Sequence, residues 1–300
     1  MMRMSQVGPL CRSAFRLVLT CYLEDAMTPN GIPQRVSAHV RTYLMCPPEY
    51  FTVQYAINPW MNPDDPVDLA VARQQWEQLR QAYTGLGHTV RVIDPVSGLP
   101  DMVFAANGAT VIGGKVLGAS FKYAERHPEA LAYMDWFRRE GYEVAEPRRM
   151  NEGEGDIAFT GRAIISGYGF RTDPEVGQEI EELFGLPVIS VRLVDPKFYH
   201  LDTALVVLDD HTAAYYPAAF DEAGQDAINA HFPELIEAKD EDAETLGLNA
   251  ISDGRNVVMP AQARELAEQI TAVGFNVVPV DMSEFKKSGG GPKCCTLELR

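Results

Sequence analysis

Positive charge is scarce in this sequence. Its 300 residues hold 26 Lys and Arg against 42 Asp and Glu, a formal net charge of −16. Nucleic acid and anionic membrane both need a basic footprint, so neither is expected as a partner. Cysteine is also sparse: Cys11, Cys21, Cys46, Cys294 and Cys295 are odd in number and irregularly spaced. That excludes a disulfide framework. No Cys-x-x-Cys pair or Cys/His cluster carries zinc spacing. Thiols of this kind fit a reducing, cytoplasmic setting. Uncharged apolar runs long enough for a membrane helix, about 18 residues, are missing too. Leu10 to Leu23 is apolar but carries Arg12 and Arg16, so it makes neither a span nor a good secretory segment. Residues 1–40 are expected to be an extension: a loose tail, a targeting remnant or the product of an upstream start codon.

What is present suffices for a large core, with 46% hydrophobic and 23% charged residues. From about residue 65 one pattern recurs. An acidic residue or Pro opens an amphipathic helix, Gly or Pro stops it, and a β-branched strand follows. The expected helices run from Asp68 to Tyr83, from Pro128 past Phe137, from Pro174 to Phe184, from Ala223 to Phe232 and from Ala261 past Ile270. Gly87, Gly141, Gly185 and Gly274 follow four of them, where a left-handed residue ends a helix at little steric cost. Strand-rich stretches are expected at Met102–Ile112, Ile157–Ser166, Thr203–Val207, Ala213–Tyr216 and Asn256–Met259. An opening strand at Thr42–Cys46 and a closing one at Cys294–Leu299 complete the set. Five such units suit either repetition around a centre or a doubly wound α/β sheet, and periodicity does not choose. No Pro- or Ser-rich linker divides residues 41–300, so they read as one domain.

Four loops carry reactive side chains. They are Leu99–Gly108, Asn151–Asp156, Phe198–Thr203 and Ser288–Thr296. In the last, three glycines precede Cys294, and a thiolate is the most nucleophilic side chain at neutral pH. A buried strand cysteine is the plainer alternative. The loop lacks the Gly-Lys-Ser/Thr ending of a phosphate cradle. His200 precedes an apolar strand, with Asp202 on the same face if the segment is extended, a pairing that suits a general acid/base. A structural His remains the alternative. Glu152, Glu154 and Asp156 crowd three carboxylates around two glycines, which costs repulsion unless a cation relieves it. Asp101 and Asn107 suit turns when taken alone.

Together these segments resemble the guanidino-modifying penteins, the superfamily of arginine deiminase, dimethylargininase, amidinotransferases and arginine dihydrolases. The resemblance rests on Met45–Val53, Ile57–Met61, Pro100–Gly108, Gly167–Arg171, Phe198–Thr203 and Gly291–Cys294, and covers about residues 41–300. It implies a five-bladed α/β propeller of ββαβ repeats with pseudo-fivefold symmetry, formed by one catalytic domain over residues 41–300. It further implies Cys294 as nucleophile, His200 as acid/base and Glu152 as the acid gripping a guanidinium. Asp101 and Asp202 fall on further substrate carboxylates, Arg126 and Arg171 on substrate-anchoring arginines, and Asn58 on a binding-loop position. Cys295 is the rival nucleophile. Adjacent strand residues face opposite ways, and the Gly-Pro-Lys-Cys match selects Cys294.

The implied activity is hydrolysis of guanidino C–N bonds through a covalent thiouronium, on a small-molecule substrate, with neither metal nor organic cofactor. A homodimer or higher homo-oligomer follows by analogy alone. Deiminases and dimethylargininases usually carry Asp at the position of Asn107, whereas the dihydrolases carry Asn. The extra residue in Glu152–Asp156 relative to the deiminase Glu-Gly-Gly-Asp points the same way. Arginine dihydrolase, giving ornithine, carbon dioxide and ammonia, is therefore expected first, and dimethylargininase, giving citrulline and dimethylamine, second. A non-catalytic pentein, like the ribosome anti-association factor, is the alternative of another class.

Overall fold

The computed structural model describes residues 38–300. The expected extension over residues 1–40 lies outside the described residues except for its last three. Among the described residues the strands form five three-stranded sheets. Each has a central strand paired antiparallel to one neighbour and parallel to the other. The parallel step always spans a helix, because parallel strands need a crossover.

Four sheets use strands consecutive in sequence. Ala109–Ile112, Lys115–Gly118 and Glu143–Ala145 enclose the helix His127–Arg139. Ile157–Phe159, Ile164–Tyr168 and Val188–Arg192 enclose Val176–Phe184. Leu205–Val207, Thr212–Tyr215 and Glu234–Glu237 enclose Glu222–His231. Ile251–Ser252, Asn256–Pro260 and Asn276–Val280 enclose Arg264–Ala272. The fifth sheet draws its antiparallel strand, Leu297–Glu298, from far along the chain and sets it beside Thr42–Met45, which pairs with Thr89–Val92 across the helix Leu69–Gly85.

The helix Leu69–Gly85 shows why the repeats are stable. Asp68 caps it, accepting from the amides of Ala70 and Val71 at 3.0 and 3.1 Å, worth about 1 kcal/mol. Ala72, Trp76, Leu79 and Tyr83 bury one face against Tyr43, Met45 and Phe285. Each large apolar side chain so buried contributes about 1.5–3 kcal/mol.

Three expected strands begin later than their sequence suggests, and each late start shapes the site. The N-terminal part of Met102–Ile112 forms two 3-10 turns, Pro100–Val103 and Ala105–Gly108, and pairs only from Ala109. Pro100 fixes the first turn's φ, and the amide of Ala106 donates to the carbonyl of Cys294 at 3.1 Å. His200 is extended, but Leu201–Thr203 is again a 3-10 turn, so strand alternation does not set the direction of Asp202. Cys294 and Cys295 lie in a turn, and pairing starts at Leu297. Thr296 staples that turn, its hydroxyl donating to the Pro292 carbonyl at 2.8 Å. The strand-face distinction between the two cysteines therefore does not apply. Among the described residues no helix is long and apolar enough to cross a membrane.

Candidate active site

The turns that delay those strands bring the reactive residues together. Asp101 and Asn107 lie on the two turns before Ala109, Glu152 opens the turn before Ile157, His200 and Asp202 precede Leu205, and Cys294 precedes Leu297. Cys294, His200 and Glu152 are all buried. These residues thus occupy corresponding positions, each on the turns before the antiparallel outer strand of a different sheet.

Glu152 is its electrostatic hub. One carboxylate oxygen, Oε2, accepts from Arg171 Nη1 at 2.9 Å and stands 2.8 Å from His200 Nε2. Arg126 Nη1 approaches the same oxygen to 4.0 Å, and the amide of Lys122 donates to Oε1 at 3.2 Å. Burial alone raises a carboxyl, yet Arg171, His200 and Arg126 together hold Glu152 down to about 2. Asp156 supports the His200 segment, accepting from the Leu201 amide at 2.9 Å and from the Thr172 hydroxyl at 2.7 Å.

The thiol contacts the turn that follows His200. Cys294 Sγ donates to Asp202 Oδ2 at 3.2 Å and accepts from Asn249 Nδ2 at 3.0 Å. Burial first, then the Asp202 carboxylate, push the thiol well above its ordinary range. Burial also pushes Asp202 up to about 7, against the pull of Lys293. Asp202 is therefore turned to Cys294 and not paired with His200. Cys295 is fully buried in the apolar cluster around Tyr43 and Tyr83.

The two arginines are already engaged. The Arg171 guanidinium lies 4.6 Å from the centroids of both Tyr123 and Tyr199, and its Nη2 donates to the Ile57 carbonyl at 2.9 Å. The guanidinium that Glu152 holds is thus the chain's own. Arg126 is bound by Glu129 at 2.8 Å, lies over Phe121, and donates through Nη1 to Asn107 Oδ1 at 3.0 Å. Asn107 Nδ2 and His200 Nδ1 are buried without a partner and border Gly155. Asp101 accepts from Tyr55 and Ser288 hydroxyls at 2.7 and 3.1 Å. Asn58 donates to the Ser288 carbonyl at 3.0 Å and meets Gly289, tying the early loop to the glycine run.

Asp202 also lines a cavity of about 510 Å³ with Glu154, Lys293, Glu298, Arg41 and Arg300. Cys294, His200 and Glu152 do not line it. Among the described residues no group of three or more His, Cys, Asp or Glu side chains is arranged to hold a metal.

Sequence reasoning missed Asn249. It stands two residues before Ile251, as Asn107 stands two before Ala109. Four sheets were credited with a reactive loop, and the corresponding loop of the remaining one was the available signal.

Residues 48–300 match the family model described as N,N dimethylarginine dimethylhydrolase, eukaryotic. The N(G),N(G)-dimethylarginine dimethylaminohydrolase of Mycobacterium tuberculosis is 51% identical over 90% of this chain and 89% of its own length. The bifunctional arginine dihydrolase/ornithine cyclodeaminase ArgZ of Synechocystis is 36% identical over 85% of this chain and 37% of its own. A solved N-terminal domain of an ArgZ variant, covalently bonded to a reaction intermediate, superposes with a TM-score of 0.83 at 34% identity, covering 87% of this chain and 98% of that one. With a match spanning nearly all the described residues, the chain belongs to the N,N-dimethylarginine dimethylhydrolase family of the guanidino-modifying pentein superfamily.

Proposed function

We propose that this chain is a cysteine hydrolase of the guanidino group, and first an arginine dihydrolase. The proposal takes the five sheets as blades of one pentein propeller over residues 41–300, with the reactive turns at one end of its axis. The observation that carries the dihydrolase reading is the orientation of Asn107. Arg126 occupies its carbonyl oxygen, so its amide nitrogen is the group left to bind a ligand. An amide nitrogen donates to the carbonyl oxygen of a ureido group, whereas a carboxylate only accepts.

In this mechanism Asp202 and Glu152 receive the substrate guanidinium, which takes the place of Arg171 at Glu152, and Asp101, Asn58, Arg126 and the released Arg171 shape and anchor its remainder. A cation about 4 Å from the sulfur is worth roughly 4 kcal/mol at an effective dielectric constant near 20, about a thousandfold in thiolate population. Substrate binding thus offsets the charge of Asp202 and favours ionisation of Cys294. The thiolate attacks the guanidinium carbon, His200 protonates the departing ammonia, and a thiouronium forms. His200 next takes a proton from water, which attacks the same carbon and releases sulfur, giving citrulline. A second round on the ureido carbon releases another ammonia, and the remaining carbamoyl carbon leaves as carbon dioxide, giving ornithine. Two waters are consumed in all.

Dimethylargininase is the second reading, favoured by the 51% identity to the mycobacterial relative of that name. Mass-spectrometric product analysis with L-arginine and with asymmetric dimethylarginine separates the two. Ornithine from arginine is the expected result. Citrulline and dimethylamine from the methylated substrate alone would overturn the reading, and silence on both would favour a non-catalytic pentein.

A further inference from the structure

Asn249 grips Cys294 and the turn beside it with more hydrogen bonds than any residue expected from the sequence. Its Nδ2 donates to Cys294 Sγ at 3.0 Å and to the Asp202 carbonyl at 3.1 Å, while its Oδ1 accepts from the Cys294 amide at 3.0 Å. Its own carbonyl accepts from the Lys293 amide at 3.3 Å. One side chain therefore fixes the thiol, the backbone that carries it and the residue that accepts from it. Asn249 is fully buried.

The surrounding chain is shaped around this carboxamide. The amide of Asn249 donates to the carbonyl of Leu246 at 2.9 Å, and Leu246 has a φ of 58°. That left-handed conformation is costly for a leucine and persists only where its surroundings dictate it. Across the gap stands Gly291, where an added Cβ would lie 2.9 Å from Asn249 Oδ1. The glycine run before Cys294 thus makes room for Asn249.

The charged group in contact with the sulfur is the Asp202 carboxylate, and the donor in contact with it is the Asn249 amide. We infer that Asn249 is a further catalytic residue, whose amide hydrogen bond stabilises the Cys294 thiolate and aims it, and this rests on the reading of Cys294 as nucleophile. A thiolate accepts a stronger hydrogen bond from an amide than a thiol does. When the thiol gives up its proton to water, the hydrogen bond to Asp202 Oδ2 is lost and the Asn249 contact strengthens as charge develops on sulfur. Asp202 disfavours the anion in the resting site, and Asn249 favours it throughout.

The test is the pH dependence of iodoacetamide alkylation at Cys294, followed by peptide mass spectrometry, in Asn249→Ala and Gly291→Ala. Asn249→Ala is expected to slow alkylation near pH 8 by about ten- to a hundredfold and move the midpoint upward. With substrate, kcat should fall with KM little changed. Gly291→Ala pushes the carboxamide from the other side and should shift the profile the same way by a smaller factor; it carries the readout alone if Asn249→Ala does not fold. An unmoved alkylation profile in the folded variants overturns the inference and leaves Asn249 structural. Alkylation needs no substrate, so failure to turn over either arginine compound sinks the functional reading without touching this one.

Discussion

Glu152 and Glu154 are two residues apart and both buried, yet they belong to different chemistry. Glu154 is saturated: Lys293 and the Glu298 amide bind Oε2 at 2.6 and 3.1 Å, and Arg300 binds Oε1 at 2.9 Å. Glu152 shares one oxygen between a guanidinium and a histidine, beside polar nitrogens of Asn107 and His200 that have no partner. Gly153 separates them with a φ of 57°, and a Cβ there would lie 2.6 Å from two backbone carbonyls. Burial of a carboxylate therefore says little about its role. The proton-carrying neighbour and the unfilled hydrogen bonds beside it distinguish the reactive cluster from the scaffold.

The sharpest way to test that division is to remove its nucleophile. Cys294→Ser should lower turnover by at least about ten-thousandfold, while Cys295→Ser stays within about threefold, as ornithine release would show. Equal losses would erase the distinction between the cysteines.

The two glutamates can then be set against each other. Glu152→Gln should cost about a thousandfold in kcat/KM, because it deprives His200 of its charged partner. Glu154→Gln should leave the reaction nearly intact but lower unfolding free energy by about 2 kcal/mol, since the half-buried Lys293 loses its carboxylate partner and Arg300 keeps only Glu298. Urea titration beside steady-state kinetics checks both, and a reversal of the two patterns would break the comparison.

Asn107→Asp should divert the product from ornithine to citrulline, changing their ratio by about a hundredfold if the amide's hydrogen bond carries the second round. Continued ornithine output with no citrulline accumulating would sink the role given to Asn107.

The smallest effect concerns pH. Asp202, pushed up to about 7, is an anion above that pH and neutral below it. Guanidinium binding needs the anion, so kcat/KM should fall about tenfold per pH unit below about 7. Lys293 holds the Asp202 carboxyl down, so Lys293→Met should move that limb to higher pH. A limb that stays in place belongs to another group.

Much of this architecture was legible because amphipathic helices and their stops are local signals. Asp68 as cap, the Ala72–Trp76–Leu79–Tyr83 face and Gly185 as a left-handed stop are written in adjacent residues. The strand starts were not, because long-range bonds decide them. Met102–Phe104 is β-compatible in sequence, yet it lies in and after a 3-10 turn, and the turn that follows is held by Cys294, nearly two hundred residues away. The direction of Asp202 and the turn around Cys294 were misread for the same reason. Arg171 illustrates a further limit: the family resemblance implies a substrate anchor, while its resting partners are Glu152 and two aromatic rings. Asn249 carries no motif at all, and only the logic of repetition points to its loop.

The pairing of Leu297–Glu298 with Thr42–Met45 has a consequence for biosynthesis. Four sheets can form as their own segments emerge, but this one waits for a strand about 250 residues downstream of its partner. Closing so long a loop is slow, and the nascent intermediate keeps the edge of Thr42–Met45 open to wrong partners. The turn bearing Cys294 leads directly into that late strand, so the nucleophile is seated only when the sheet closes. Activity should then appear in one step at the end of folding, and partly folded chains should be inert.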